Sequence, residues 1–257
     1  MSSQLQFRER IRRGDLLVGT FLNLGSPAAV EVAGHAGFDW LLIDLEHGAG
    51  TEADLLPELY AASATGVTAL VRVEVSARLR LGRALDLGAA GIMVPRLETA
   101  EQVREAVSFL RWPPEGVRGV ALSTRGADLG GLTHREVAGR NKRFALVVQV
   151  ENPSMVANAA EVAAIDAVDV LFVGPTDLTH SLGVPGDFAD AAYQAALRTV
   201  VAAARGAGKS AGILLRRLDD LEPHVELGFR FVGIGSDSAF IADGAAAAVA
   251  RARSIAS

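Results

Sequence analysis

The chain of 257 residues contains no cysteine. Disulfides, zinc–thiolate centres, iron–sulfur clusters and a cysteine nucleophile are therefore excluded. It has no basic stripe either. The net charge is −5 and the arginines are scattered among acids, which argues against nucleic acid as a partner. No stretch approaches 18 uncharged apolar residues, so no membrane span is expected. The opening "MSSQLQFRERIRRGD" is charged and lacks an apolar h-region, so no secretory signal is expected. Together these absences lead us to expect a soluble, cytoplasmic protein.

Half of the residues are hydrophobic, enough to bury a substantial core. Short apolar runs recur over 16–23, 38–44, 68–73, 91–96, 144–150, 169–174, 210–215 and 229–235. Several are almost continuously apolar, the pattern of strands buried on both faces in a parallel sheet. Ala/Leu/Glu/Arg-rich segments with cap signals separate them, such as "SPAAVEVAGHAG", which closes on Gly37. Pro57, inside "TEADLLPELYAASATG", is read as a possible restart of its helix. Eight such units in one chain of this size predict an α/β fold, a (β/α)8 TIM barrel. A doubly wound sheet is the competitor, but no G-x-G-x-x-G turn follows the first run. No linker interrupts the chain, so one barrel domain over residues 1–257 is expected. The longest irregular stretch, 112–133, reads as a loop that covers a site, meets a partner or is merely solvated.

In a barrel the chemistry sits at the carboxyl ends of the strands. There the runs lead into Asp44, Glu46 and His47; Arg72; Gln149, Glu151 and Asn152; Gly174, Pro175, Thr176 and Asp177; Leu214 and Leu215; and Gly235, Ser236 and Asp237. Glu151 and Asp177 offer hard oxygen donors suited to Mg²⁺ or Mn²⁺. Each could equally be an acid favoured at a helix start. His47 suits a general base near neutral pH, or a rim residue that only bonds its loop. Arg72 lies in an apolar run and needs an anion, either a substrate or Asp44 or Glu46. The only lysines, Lys142 and Lys209, each precede a run and fall on the opposite rim, which argues against a Schiff base. "GAGKS" (206–210) fails as a P-loop, because Ala203 stands where the first glycine belongs and the segment precedes a run. His180 is read as a surface residue despite its closeness to Asp177.

"FDWLLIDLEHG", "VRV", "LDLGAAGIMVPRLETAEQ", "WPPEGVRG", "VVQVEN" and "LFVGPTDLTHSLG" occur in order along nearly the whole chain. This set resembles the HpcH/HpaI family of class II pyruvate aldolases. The resemblance implies a metal-dependent barrel that cleaves or forms 4-hydroxy-2-oxo acids from pyruvate, or a close 2-oxo acid such as hydroxypyruvate, and an aldehyde. It implies Glu151 and Asp177 as ligands of a divalent metal: Mg²⁺ or Mn²⁺, with Co²⁺ or Zn²⁺ as further options. It implies Arg72 on the enolate oxygen and His47 as the base. Asp86 matches an acid that the family pairs with the histidine, although topology puts it on the opposite rim unless it acts from a neighbouring subunit. Gly174, Pro175, Thr176 and Asp177 would receive the substrate carboxylate. Leu214 is expected as an apolar wall. The family's habit also implies a homo-oligomer, a hexamer that exchanges C-terminal helices.

The chain departs from the family's pattern in "HGAG" after the histidine, in His180 and in "RGVALSTRGADLGG". These positions bear on the aldehyde more than on the reaction class. Three alternatives stand beside this reading. They are a citrate-lyase-β-like acyl-CoA lyase, a phosphoenolpyruvate-mutase-like enzyme, and a non-catalytic barrel that binds a 2-oxo acid.

Overall fold

Residues 3–256 are described by the computed structural model. Eight parallel strands close into a barrel in chain order, each paired with its neighbours and β8 returning to β1. After α1 (Ser3–Arg13) come β1 (Leu17–Leu22), α2 (Pro27–His35), β2 (Trp40–Asp44), α3 (Glu52–Thr65) and β3 (Thr68–Arg72). Next are α4 (Arg78–Leu87), β4 (Gly91–Val94), α5 (Ala100–Leu110) and β5 (Ala145–Val150). Then follow α6 (Pro153–Ala157), α7 (Ala159–Ala163), β6 (Val170–Val173), α8 (Pro175–Ser181) and α9 (Ala191–Gly206). The chain ends with β7 (Ser210–Leu215), α10 (Leu221–Leu227), β8 (Phe229–Ser236) and α11 (Asp237–Ala256). All eight expected strands are present, with ends shifted by no more than two residues.

β2, β4, β5 and β6 are buried at every position, which is why they read as continuous apolar runs. Side chains of opposite parity feed two cores. One, between sheet and helices, contains Leu41, Ile43, Leu146 and Val148. The other fills the barrel with Phe21, Trp40, Leu42, Leu70, Met93, Val147, Phe172 and Phe231. Trp40 stacks on Phe231 at 4.4 Å between centroids. A Cβ at Gly19 would lie 2.1 Å from the Trp40 ring, so that strand position must be glycine for the indole to fit.

Two local expectations are corrected. α3 runs through Pro57 without a restart, so the proline forfeits one helical donor in an otherwise capped helix. Its start is secured by Thr51 and Asp54 in a capping box. The N-terminal segment, read above only for its charge, forms a helix that closes the amino end of the barrel. Phe7 and Ile11 enter the inner core. Arg8 Nε donates to Asp169 at 2.8 Å, and the Ser210 hydroxyl donates to the Ile11 carbonyl at 2.8 Å. Lys142 and Lys209 also lie at this end, where the Lys142 carbonyl accepts from Arg8 and Lys209 Nζ donates to the Asp166 carbonyl.

The 112–133 stretch is irregular, apart from a 3-10 segment at Arg125–Gly130. In α11, residues 240–255 are exposed on this chain, including Phe240, Ile241, Val249 and Ile255. Among the described residues no helix is long and apolar enough to cross a membrane.

Candidate active site

Parallel register sets Asp44, the last residue of β2, opposite Arg72, the last of β3. The two side chains make a forked pair, with Nε to Oδ1 at 2.9 Å and Nη2 to Oδ2 at 2.6 Å. Arg72 is thereby buried with its charge answered, as a guanidinium in an apolar strand requires. Asp44 also accepts from Asn23 Nδ2 at 3.2 Å and from the backbone N–H groups of Glu46 and His47 at 3.0 and 3.3 Å. The β2 exit loop is thus built around one carboxylate. Gly48 completes it, since a Cβ there would lie 2.2 Å from the Asp44 carbonyl oxygen.

The remaining nitrogen of the fork, Arg72 Nη1, lies 3.0 Å from Glu46 Oε2 and 3.4 Å from Gln149 Oε1. Gln149, on β5, passes the connection on by donating Nε2 to Glu151 Oε2 at 3.2 Å. Glu151 is only 7 % exposed. The backbone N–H of Arg96 donates to its other oxygen at 2.5 Å. Burial pushes the Glu151 carboxyl above its ordinary range; the Arg96 hydrogen bond opposes this, and the negative charges of Asp177 and Glu46 add to it. Arg96 presents that N–H from a left-handed conformation, φ 58°, uncommon for a non-glycine residue. Its guanidinium donates to Glu46 Oε1 at 2.9 Å.

β6 ends at Val173, and α8 begins at once with Pro175 at its first position. The first-turn amides of Thr176 and Asp177 have no helical acceptor by construction. Gly174 leaves room beside the acid, since a Cβ would stand 3.4 Å from Gln149 Nε2 and from the Glu151 Cβ.

A cavity of about 580 Å³ opens over this rim. It is lined by His47, Arg72, Gly174, Pro175, Thr176, Asp177 and Leu214, with Asn23, Gln149 and Phe172 among the others. Asp177 also faces a smaller neighbouring cavity of about 250 Å³, shared with Glu46, Arg96 and Glu151. Six sequence-derived candidates and Leu214 therefore meet on one cavity, and Glu151 stands next to it. The His47 side chain is half exposed, with Nε2 3.9 Å from Glu46 Oε1.

Asp86 is not brought to this cavity. It sits on α4 and pairs with Arg118 Nη2 at 2.5 Å. The cause is topological: α4 precedes β4, so the end of α4 approaches the amino end of the barrel. His180 turns back on its own helix, with Nδ1 2.8 Å from the Thr176 carbonyl.

Sequence reasoning missed Arg96 and Asn23. Arg96 had one visible signal, as the first polar residue after the apolar run "GIMVP". Nothing in the sequence announced its φ. Asn23 stands where β1 leaves the barrel, the same exit position that singled out the others.

Among the described residues, no three His, Cys, Asp or Glu side chains gather as a complete metal cage. The donors fit an open hard-cation site instead. Glu151 and Asp177 are both oxygen donors, and their mutual repulsion, strengthened by Glu46, is what a divalent cation relieves.

Residues 17–243 match the family model described as HpcH/HpaI aldolase/citrate lyase. The chain is 36% identical over 247 residues to the hydroxypyruvate/pyruvate aldolase of Delftia acidovorans, covering 96% of this chain and 92% of that protein. It is 37% identical over 232 residues to the 5-keto-4-deoxy-D-glucarate aldolase of Klebsiella pneumoniae, covering 90% of each. Its fold superimposes on an HpcH/HpaI aldolase/citrate lyase family protein from Burkholderia cenocepacia with a TM-score of 0.92. That pair is 34% identical and covers 97% of this chain and 99% of the other. With the rim geometry and the whole-length similarity in agreement, the chain belongs to the HpcH/HpaI aldolase/citrate lyase family and is a carbon–carbon lyase of the aldolase type.

Proposed function

We propose that this enzyme catalyses the reversible, divalent-metal-dependent aldol reaction of pyruvate, or a close 2-oxo acid such as hydroxypyruvate, with an aldehyde to give a 4-hydroxy-2-oxo acid. The observation that carries this reading is the convergence of a half-exposed histidine, a buried arginine fork and Asp177 on one cavity, with Glu151 beside it. The names of the two aldolase relatives support the substrate class.

Glu151 and Asp177 would hold the metal, Mg²⁺ or Mn²⁺. When bound, it supplies Lewis acidity to the 2-oxo acid. The carboxylate of the substrate sits against the first turn of α8, with Gly174 and Pro175 shaping the approach and the Thr176 and Asp177 amides as donors. His47 takes the proton from the methyl carbon of the 2-oxo acid. The electron pair of that C–H bond becomes the enolate C=C, and the carbonyl π pair moves onto oxygen. Arg72 Nη1 faces that developing charge. Asp44 holds the other two nitrogens of the fork, so little reorganisation is needed at the moment of reaction. The enolate carbon attacks the aldehyde carbon while the pair on the enolate oxygen re-forms the 2-oxo carbonyl, and the new alkoxide takes back the proton that His47 carries. Cleavage runs the same steps in reverse. Leu214 forms an apolar wall of the acceptor side.

The exposed apolar residues along α11 support a homo-oligomer built through that helix, a hexamer by family resemblance. In such an assembly Asp86 would meet the histidine of a neighbouring subunit.

The test is methyl deuteration of pyruvate in D₂O, followed by NMR on metal-stripped enzyme with and without Mn²⁺ or Mg²⁺. Metal-dependent exchange, impaired in His47→Ala, is expected. Absence of exchange for pyruvate, hydroxypyruvate and 2-oxobutyrate alike would overturn the proposal in favour of a thioester lyase or a binding-only barrel.

A further inference from the structure

A second cavity, of about 360 Å³, lies near the amino end of the barrel. Gly88 and Ala89, just before β4, and Arg143 and Phe144, just before β5, set it there, away from the rim that carries His47 and Arg72. Ser63 and Leu85 add to its wall, and the longest irregular segment of the chain contributes Trp112, Arg118, Arg125, Gly126, Asp128 and Leu129.

Its lining holds four guanidiniums, those of Arg118, Arg125, Arg140 and Arg143. Asp128 is the carboxylate of the lining itself, and Asp86 and Glu136 act on the guanidiniums from just outside it. Asp86 takes Arg118, and Asp128 is shared between Arg140 at 2.8 Å and Arg143 at 3.7 Å. Four positive charges against these three acids leave a positive excess. Arg125 has no carboxylate partner among the described residues. Its Nη2 donates to the Ser63 hydroxyl at 3.3 Å, and its guanidinium lies over the Tyr60 ring at 4.6 Å.

The site is built rather than incidental to the surface. The Arg118 side chain is only 4 % exposed and stacks on Trp112, 4.1 Å from the ring centroid. Three buried donors in this set, Arg118 Nε, Arg125 Nε and Arg140 Nη1, have no hydrogen-bond acceptor among the described residues. Unmet buried donors of this kind are costly, and each awaits an acceptor. Two lining positions are glycines against which the guanidiniums rest. A Cβ at Gly88 would lie 2.9 Å from Arg125 Nε, and one at Gly126 would lie 2.9 Å from Arg118 Nη2.

We propose that this cavity, at the opposite end of its own barrel from His47 and Arg72, is an anion site that takes a small dianion. Planar forked donors suit a phosphoryl group and a dicarboxylate alike. A dianion answers the positive excess and brings acceptors to donors that lack a partner among the described residues.

The test uses the full-length enzyme and two probes, inorganic phosphate and succinate. Potassium acetate at matched ionic strength is the control for screening. Trp112 gives a local optical readout, because the other tryptophan, Trp40, is sealed inside the barrel. Saturable binding of at least one probe, one per chain by calorimetry and with a change in tryptophan fluorescence, is expected. Which probe binds identifies the source of the dianion. Arg125→Gln should weaken that binding by about tenfold or more, with an unchanged melting temperature. Trp112→Phe should silence the optical signal while calorimetry still detects the anion. Failure of both probes to bind beyond the acetate control would overturn the proposal, and so would binding that Arg125→Gln leaves intact. In either case the four arginines only staple the loop.

Discussion

The two ends of the barrel treat buried charge in opposite ways. At the amino end, Asp169 is fully buried and accepts from Arg8, Arg12 and the Leu146 N–H, while Phe7 and Ile11 exclude water. At the carboxyl end, Arg72 and Arg96 pair with Asp44 and Glu46. Glu151 and Asp177 have no side-chain cation partner among the described residues, so a negative excess collects around these two acids. Arg8 and Arg12, at the amino end, pair with Asp169 and hold the fold, whereas the carboxyl rim leaves an attraction for a cation unmet. Function in this molecule is read from where the pairing stops.

The largest effect should come from removing that unmet charge. Glu151→Gln is expected to lower metal-dependent methyl exchange of pyruvate on the order of a thousandfold. Mn²⁺ binding, followed by electron paramagnetic resonance, should fall in parallel, while the melting temperature changes little. Breaking the opposite end should do the reverse. Asp169→Ala strands Arg8 and should cost about 3 kcal/mol or more in urea unfolding. The methyl exchange rate of the folded fraction should stay near that of the unaltered enzyme. Loss of exchange without loss of stability would show that the two ends are not independent.

A buried acid at neither end sharpens the contrast. Glu58, on α3, has no partner for either oxygen. Burial, then repulsion from Asp54 and Asp237, pushes it up to about 7. The folded chain therefore holds this proton to higher pH than the unfolded chain does. The stability that Glu58 supplies is complete below its ordinary value of 4.5 and is lost as pH rises towards about 7. Glu58→Gln should raise stability at pH 8 by at most about 3 kcal/mol and flatten the unfolding free energy between pH 5 and 7. The smallest effect is expected at Gly174. Gly174→Ala would bring a methyl group into van der Waals contact with Gln149 and Glu151 and should weaken Mn²⁺ binding by at most about 1 kcal/mol, read by titration.

Much of this was legible in the sequence because burial on both faces of a strand leaves an unmistakable apolar run. The polar residue that ends each run is placed by topology, so Asp44, Arg72, Glu151 and Asp177 could be named from position alone. The plug was harder to see. Phe7 and Ile11 do share one helical face at i, i+4, but four arginines, Arg8, Arg10, Arg12 and Arg13, lower the apparent hydrophobicity even though Arg8 is buried against an acid far along the chain. Such a pairing has no local sign. Arg96 was hidden for a different reason. Its contribution to Glu151 is a backbone N–H in a left-handed turn, and side-chain identity says nothing of backbone direction. Asp86 is the converse case: its motif position pointed to the histidine, and the order of α4 and β4 sets it, as topology led us to expect, at the other end of its own chain.

Asp44 binds the arginine fork and the N–H groups of Glu46 and His47 at once. The strand that carries the cation and the loop that carries the base are therefore one mechanical part. Anything that pulls on Arg72 loosens the two amides, so their hydrogen-exchange rates are a gauge, readable without turnover, of whatever the guanidinium is holding.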